Sequence, residues 1–200
     1  MRGFPWIENG DARRSSHAAA FGARMLLANV AVGVLAGLLV SHVRLQLGLP
    51  GHKALFWMVP VLAARLFAPH LLGATAGASA AACTALAMGE NLAGGILYLP
   101  LVPLAGAVLD GTVALAERRR LRWWWTIPLL GMGGMAANLL CAMKRLLTPL
   151  RNSHLLFGLD GLAATILSYA FFGLLAGLAA STLAALWKAA RAGGRGAPTV

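Results

Sequence analysis

Six apolar stretches, separated by short polar breaks, constrain this chain more than any other feature of its sequence. Most of them reach about 20 residues, the length that a helix needs to cross the hydrocarbon core of a bilayer. The pattern therefore predicts an all-α, polytopic membrane protein with six transmembrane helices. The second stretch is short, so it is open to interpretation as a tilted crossing, a re-entrant segment or part of the third. The predicted spans are residues 24–43, 54–69, 71–89, 93–115, 123–146 and 159–187.

Lysine and arginine residues predict the orientation of these spans, because positively charged loops are retained in the cytoplasm during insertion. With six crossings, 11 of the 17 basic residues lie on the side of the two termini and five on the opposite side. This bias predicts cytoplasmic N and C termini in a bacterial inner membrane. The basic clusters flank membrane spans, so the net charge of +11 indicates topology signals and contacts with anionic lipids rather than nucleic acid.

The polar ends of the chain define its predicted organisation. Residues 1–23 lack a continuous apolar run and are predicted to form a cytoplasmic arm along the interface, not a cleaved signal peptide. Residues 24–187 form the six-helix domain, and residues 188–200 are a flexible basic tail. Little chain remains for a separate soluble domain, so we expect the function to reside in the helices and short loops.

Two motifs resemble parts of membrane enzymes, but neither is complete. Asp110 and Asp160 each lie in a Leu-Asp-Gly triplet, without the further aspartates that a metal-dependent phosphoalcohol transferase needs. Ser79 lies in a Gly-Ala-Ser-Ala sequence like that of rhomboid proteases, without a histidine in a later span to activate it. With six acidic residues in the chain, a multi-carboxylate metal site is not expected. We therefore predict a protein that is not an enzyme and has no metal or cofactor.

Small residues are spaced for close helix packing in two of the spans. Gly33 and Gly37 in the first span, and Gly73 and Gly77 in the third, form faces on which a neighbouring backbone can approach closely. Such faces serve internal packing in many polytopic proteins. The alternative is that they dock another membrane subunit.

Polar residues at membrane depth are costly, so each is expected to have a partner or a function. Counting along the alternating spans divides them into two groups. Asn29, Arg65, Asp110 and Glu117 fall toward the internal side. The larger external group is His42, Arg44, His52, Lys53, Glu90, Asn91, Asn138, Lys144, Arg145, Arg151, Asn152, His154 and Asp160.

Helical spacing predicts a ligand site within the external group. Asn138 and Arg145 are seven residues apart and share one side of the fifth span, and Asn91 and Tyr98 repeat this spacing at the start of the fourth. If both faces point inward, with Trp57 near the mouth, they favour a small ligand with an anionic group. The alternative is that Lys144 and Arg145 extend to lipid headgroups. The predicted ligand-binding residues are Trp57, Asn91, Tyr98, Asn138, Arg145 and Asp160.

The chain resembles the substrate-capture S components of energy-coupling factor vitamin transporters, a six-helix family of about this length. The resemblance rests on Gly51-His52-Lys53 before the second span, the Gly and Ala rich third span, the sequence LAMGENLAGGILYLPLVPLAGAVLD at 86–110, and a long Ala and Gly rich last helix. It implies capture of a vitamin-like ligand between the loop after the first span and the outer halves of spans four to six.

The resemblance also implies partners. S components dock onto a transmembrane coupling subunit through an Ala-xxx-Ala face of their first helix, whose nearest match here is Gly33 and Gly37. Transport is driven by a pair of ATPases. This chain has no phosphate-binding Gly-x-x-x-x-Gly-Lys-Ser/Thr loop, so hydrolysis must come from the partner.

Two other function classes fit the same architecture. One is a non-transporting membrane scaffold of the rod-shape-determining type, which needs no internal cavity. The other is an ion-coupled secondary transporter that uses Asp110 or Asp160, although neither an inverted repeat nor paired broken helices are evident. A pocket of roughly 300 Å³ or more between the outer halves of spans four to six would favour the capture protein.

Overall fold

A computed structural model of the chain describes residues 5–43, 49–90, 99–147 and 161–193, with the side chains of residues 19–43, 49–90, 99–143 and 161–191. All regular structure within these residues is α-helical, which confirms the all-α part of the predicted fold class. The helices are α1 (Pro5–His42), α2 (Ala54–Phe67), α3 (Gly73–Ala87), α4 (Leu101–Arg118), α5 (Trp123–Leu147) and α6 (Gly161–Gly193).

Three segments of these helices are long and apolar enough to cross a membrane, and they indicate a membrane protein. They are Ala19–His42 in α1, Trp123–Met143 in α5 and Gly161–Arg191 in α6. By contrast, α2 has 14 residues and α3 has 15. At 1.5 Å per residue, helices of this length are shorter than the roughly 30 Å hydrocarbon core.

The helix boundaries differ from the predicted spans at several ends. α1 begins at Pro5, so most of the predicted arm at 1–23 belongs to one continuous helix of 38 residues. α2 and α3 are separate helices. α2 ends at Phe67 because Pro69 disfavours helical geometry at the residue before it, Ala68. α4 begins at Leu101 and runs to Arg118, beyond the predicted end at residue 115.

Close contacts between helices show their relative directions. Gly33 of α1 lies against Gly77 of α3, and Gly37 lies against Ala81, so α1 and α3 are parallel. α2 and α6 are also parallel, because His52 meets Phe172 just before α2 and Phe67 meets Trp187 at its end.

Two other packed pairs, α3 with α4 and α5 with α6, run in opposite directions, as hairpins do. Gly106 of α4 approaches Ala78 while Asp110, one turn later, reaches Ala74 at the start of α3. Gly134 and Gly173 make the corresponding antiparallel contact between α5 and α6. Helix direction therefore alternates along the chain, which brings the N-terminal part of α1 and the C-terminal end of α6 to the same end of the bundle.

Small residues permit these contacts at the two most closely packed interfaces. A Cβ atom at Gly37 would lie 2.6 Å from the carbonyl oxygen of Ala81, and one at Gly33 would collide with the backbone of Gly77. At the interface of α5 with α6, a Cβ on Gly134, Gly173 or Gly177 would meet the facing backbone in the same way. α2 packs between α1, α3 and α6, and it contributes Met58, Val61 and Leu62 to the core.

Candidate functional site

Polar side chains in the described residues gather at the two ends of the bundle. We call one the Gly51 end, where the residues before α2 meet the first turns of α6. We call the other the Arg65 end, where the C-terminal part of α2 meets the start of α3 and the second half of α4. His52, Lys53, Glu90 and Asn138 lie at the Gly51 end, whereas Asn29, Arg65, Asp110 and Glu117 lie at the Arg65 end. These eight residues therefore form the same two groups in the structure as in the sequence-based division, and the assignment of one group to the external side stays a prediction.

The loop at residues 49–53 lies across α6 at the Gly51 end. The Ser168 hydroxyl of α6 donates a 2.6 Å hydrogen bond to the carbonyl oxygen of Pro50. Gly51 adopts a φ of 86°, and a Cβ at this position would lie 3.0 Å from the Cα of Tyr169. Both the left-handed conformation and the close approach require glycine here. The His52 ring then packs edge-on against Phe172, so three successive loop residues contact α6.

Asn138 ties α5 to this loop and to α6. Its Nδ2 group donates to the carbonyl oxygen of Tyr169 at 2.8 Å and to that of Gly51 at 3.5 Å. The side chain is buried, with 2% of the residue exposed. No hydrogen bond to Asn138 Oδ1 occurs within the described part of the chain.

A salt bridge joins the start of α2 to the residues after α3. Lys53 Nζ lies 2.7 Å from Glu90 Oε2, and both side chains are about one-third exposed. An ion pair with this exposure contributes little to stability, at about 0 to 1 kcal/mol. Its main effect is to bring the Lys53 side chain toward α3, and thus to orient the end of the 49–53 loop.

The structure describes only part of the predicted ligand site. Asn138 lies beside the 49–53 loop as described above, but Trp57 is 3% exposed and belongs to the hydrophobic core. Its indole packs among apolar residues of neighbouring helices rather than at the mouth of a cavity. Arg145 belongs to α5, but its side chain lies outside the described residues. Asn91, Tyr98 and Asp160 also lie outside them.

The predicted docking face on α1 is covered within the chain. Gly33 and Gly37 face α3, with Gly77 and Ala81 as their closest partners. This contact agrees with the alternative that the two glycines serve packing within the chain, because α3 occupies the space next to them. In this arrangement the two glycines contact α3, and docking of a partner subunit at them stays an untested prediction.

The Arg65 end contains a buried salt bridge between α2 and α4. Arg65 Nε donates to Asp110 Oδ1 at 3.0 Å, and both side chains are less than a tenth exposed. Arg65 Nη1 also lies 3.5 Å from Glu117 Oε1, two turns further along α4, where the side chain is 57% exposed. A buried guanidinium requires such a partner, because an unpaired charge in the interior is strongly destabilising.

The same Asp110 carboxylate caps α3. Leu72, the N-cap residue of α3, provides no side-chain hydrogen bond to the free amides of the first turn. Asp110 Oδ1 accepts from the amide of Ala74 at 3.0 Å, and Oδ2 accepts from the amide and the hydroxyl of Thr75 at 2.8 and 2.7 Å. Negative charge is also favoured at a helix N-terminus by the helix dipole. Asp110 thus supplies from α4 the cap that the sequence of α3 lacks.

Asn29 links α1 to the same region. Its Nδ2 group donates to the carbonyl oxygens of Met25 and Ala68, both at 2.8 Å, which satisfies a carbonyl at the end of α2. Its Oδ1 atom is buried and has no hydrogen-bond partner among the described residues. A Cβ placed on Gly73 would lie 3.0 Å from this oxygen, so the amide of Asn29 faces the start of α3.

These arrangements differ in what they can do chemically. Asp110 accepts four hydrogen bonds from protein donors, which favours a structural role over proton transfer. No group of three or more His, Cys, Asp or Glu residues that could hold a metal occurs in the part of the chain that the structure describes. The Gly51 end, where a loop contacts both α5 and α6, is the better candidate for binding a small molecule.

Sequence reasoning did not identify Thr75 and Ser168, which make hydrogen bonds between elements at the two ends. A hydroxyl in an Ala-rich helix is compatible with bonding to its own helix, as Ser79 and Ser181 do. Local sequence therefore does not distinguish Thr75 and Ser168 from them. The triplet Leu-Asp-Gly did draw attention to Asp110, but its partners are 35 to 45 residues away in sequence.

Comparison of the chain with protein-family models, with curated proteins and with solved structures gives no match.

Proposed function

We propose that the chain crosses a bacterial inner membrane six times, with both termini in the cytoplasm. The alternating helix directions support this topology, as does the concentration of positive charge at the Arg65 end, where residues 119–122 connect α4 to α5. Trp123, Trp124 and Trp125 are exposed beside this connection, as expected of aromatic residues at a membrane interface. Local thinning of the bilayer accommodates the short helices α2 and α3, or the neighbouring helices that surround α2 and α3 shield their ends from lipid.

We further propose that the protein is a substrate-capture subunit of an energy-coupling factor type importer. The observation that carries this proposal is the 49–53 loop, which is bonded to Ser168 of α6 and to Asn138 of α5. In such a subunit the loop after the first helix closes the external pocket over the ligand. Release of the two hydrogen bonds opens the Gly51 end to the outside, and their formation holds the bound ligand.

The polar groups near this loop support a small ligand with an anionic portion. In this proposal Asn138 Oδ1 accepts a hydrogen bond from the ligand, and Arg145 follows two turns later on α5. A guanidinium binds a carboxylate or phosphate through two parallel hydrogen bonds. The pocket proposed here lies between the 49–53 loop, α5 and α6, and Trp57 supports it from the core instead of lining it.

Transport in this proposal depends on a transmembrane coupling subunit and an ATPase pair. The chain itself has no phosphate-binding loop for ATP, and Gly33 and Gly37 are used for packing against α3. The coupling subunit therefore docks elsewhere than on these two glycines. Reorientation of the whole bundle, driven by the partner, delivers the captured ligand to the cytoplasm.

A thermal-shift screen of the detergent-purified protein against vitamins and their precursors tests the proposal. A ligand present at 100 times its dissociation constant, and binding only the folded state, adds about 2.7 kcal/mol of stability. We expect one compound class to raise the unfolding temperature, and Arg145→Ala to weaken that compound by about 1.5 to 3 kcal/mol through loss of a charged hydrogen bond. A folded protein that no compound stabilises would contradict the proposal and favour the scaffold alternative.

The contribution of the loop is tested separately through the dissociation rate of the ligand. Ser168→Ala removes the hydrogen bond to Pro50, so we expect the ligand to dissociate about tenfold faster, as loss of roughly 1 to 1.5 kcal/mol implies. Ser181→Ala is the matched control, because Ser181 lies on the same helix and bonds only to carbonyls of α6. Equal dissociation rates in the two variants would remove the loop from the binding mechanism.

A further inference from the structure

A groove with basic walls lies at the Arg65 end, opposite the proposed ligand pocket. It consists of three adjoining cavities of about 470, 230 and 200 Å³, and all three are lined by Leu66 and Lys188. We call it the basic groove. Its walls include Leu66 and Phe67 of α2, Arg120 after α4, and Trp187, Lys188 and Arg191 of α6.

Three cations face this groove without a carboxylate partner. Lys188 and Arg120 line the same cavity of about 230 Å³, and Arg191 lines the largest one. Glu117 also lines the groove, but its carboxylate is within salt-bridge distance of Arg65. Among the residues that the structure describes, no ion pair involves Arg120, Lys188 or Arg191. The groove therefore offers an excess of positive charge to an incoming anion.

Arg120 adopts a backbone conformation that favours glycine. Its φ is 46°, and it is the one residue other than glycine with positive φ in the described part of the chain. Its amide bonds to the carbonyl of Glu117 and that of Leu121 bonds to Ala116, which is the Schellman pattern that ends many helices. Glycine adopts this position without strain. An arginine here costs stability, and its side chain contributes a cation to the groove.

Aromatic residues place the groove at the depth of lipid headgroups. Phe67 and Trp187 make an edge-on contact at 6.0 Å between ring centres, and the Arg191 guanidinium lies 4.7 Å from the centre of the Trp187 ring. Exposed tryptophans at the start of α5 lie at the same end of the bundle. Tryptophan is enriched at the boundary between hydrocarbon and headgroups, so both the charge and the depth fit a phospholipid.

We propose that the basic groove binds the headgroup of an anionic phospholipid of the surrounding bilayer. Arg120 and Lys188 hold the phosphate, and Arg191 on Trp187 contacts the outer part of the headgroup. The acyl chains lie along the exposed apolar side chains of α2 and α6, where Phe67, Leu183 and Leu186 face outward. This site does not depend on the proposed transport function, since it lies at the other end of the bundle.

Native mass spectrometry of the full chain in neutral detergent, titrated with phosphatidylglycerol or phosphatidylcholine, tests the proposal. We expect one phosphatidylglycerol to bind at least tenfold more tightly than phosphatidylcholine. A basic side chain that hydrogen-bonds the lipid phosphate contributes about fivefold in affinity, which corresponds to a net hydrogen bond of typical strength. Lys188→Gln and Arg120→Gly are therefore each expected to weaken phosphatidylglycerol about fivefold, and Arg118→Gln, which lines none of the three cavities, less than twofold.

Thermal unfolding of the same variants separates binding from folding. Arg120→Gly relieves the left-handed strain, so we expect its unfolding temperature to be at or above that of the unmodified protein while its lipid affinity falls. Equal loss of affinity in Arg118→Gln would overturn the proposal, because it would indicate diffuse surface charge. Displacement of the lipid by glycerol 3-phosphate at equal concentration would also overturn it, because that result would indicate a site for a soluble phosphate.

Discussion

At the scale of single residues, Asp110 joins three helices through one carboxylate. It pairs with Arg65 of α2, accepts hydrogen bonds from the first turn of α3, and belongs to α4. The low polarity of the interior strengthens each of these interactions, but it also makes the loss of either partner costly. Glu117 is a contrasting case on the same helix, since it meets the same arginine at 3.5 Å with most of its side chain in solvent.

This contrast predicts a large difference between two conservative substitutions. Asp110→Asn removes the countercharge of a buried arginine and replaces one acceptor with a donor that faces the amides of α3. We expect it to destabilise the protein by about 3 to 5 kcal/mol in thermal or denaturant unfolding in detergent. Glu117→Gln, as the control, is expected to cost less than about 1 kcal/mol. Similar losses in both variants would mean that Asp110 does not hold the three helices together.

At the scale of helices, glycines determine how closely α5 approaches α6. Gly134 and Gly173 face each other, and Gly177 lies against the backbone of Leu130 and Gly131. In a bilayer, helix association depends on such packing because lipid chains are as apolar as the helix surface. α1 packs closely against α3 in the same way, through Gly33 and Gly37. These interfaces leave no volume for a methyl group.

Two glycine-to-alanine substitutions should therefore have effects of opposite sign. Alanine at Gly134 places a Cβ against the Gly173 carbonyl oxygen and is expected to destabilise the protein by about 1 to 3 kcal/mol through overpacking. A Cβ at Gly111 of α4 has no neighbouring atom within 4 Å, so Gly111→Ala is expected to stabilise it by about 0.5 to 1 kcal/mol. The measurement is the unfolding free energy of each variant, and stabilisation by alanine at Gly134 would contradict the interface described here.

At the scale of the whole molecule, helix direction and helix length point to different numbers of crossings. Three segments have the length and apolarity of membrane spans, whereas α2, α3 and α4 alternate in direction between them. If only α1, α5 and α6 cross, the intervening residues all remain on one side of the membrane. If all six cross, the connections between α2, α3 and α4 alternate between sides.

Cysteine labelling in inverted and right-side-out vesicles distinguishes these two topologies. With Cys83 and Cys141 replaced by alanine, single cysteines at three exposed positions report the side of each connection: Leu71→Cys, Met88→Cys and Arg118→Cys. Six crossings predict that an impermeant maleimide labels Leu71→Cys and Arg118→Cys from the cytoplasmic side and Met88→Cys from the external side. Labelling of all three from the same side would establish that α2, α3 and α4 do not cross.

The amino-acid sequence by itself determined the helical class and the approximate position of each helix, because apolar runs and their polar breaks are local properties. It also determined which polar residues share an end, since direction reverses with each helix: Arg65 and Asp110 were assigned to one side before any contact was known. Tertiary structure alone decided the rotation of each helix. That rotation turns Trp57 into the core, directs Gly33 toward α3 and brings Asp110 to the amides of α3. The contact partners of these residues lie tens of residues away in sequence, so only the packing of the helices selects which face of each helix is buried.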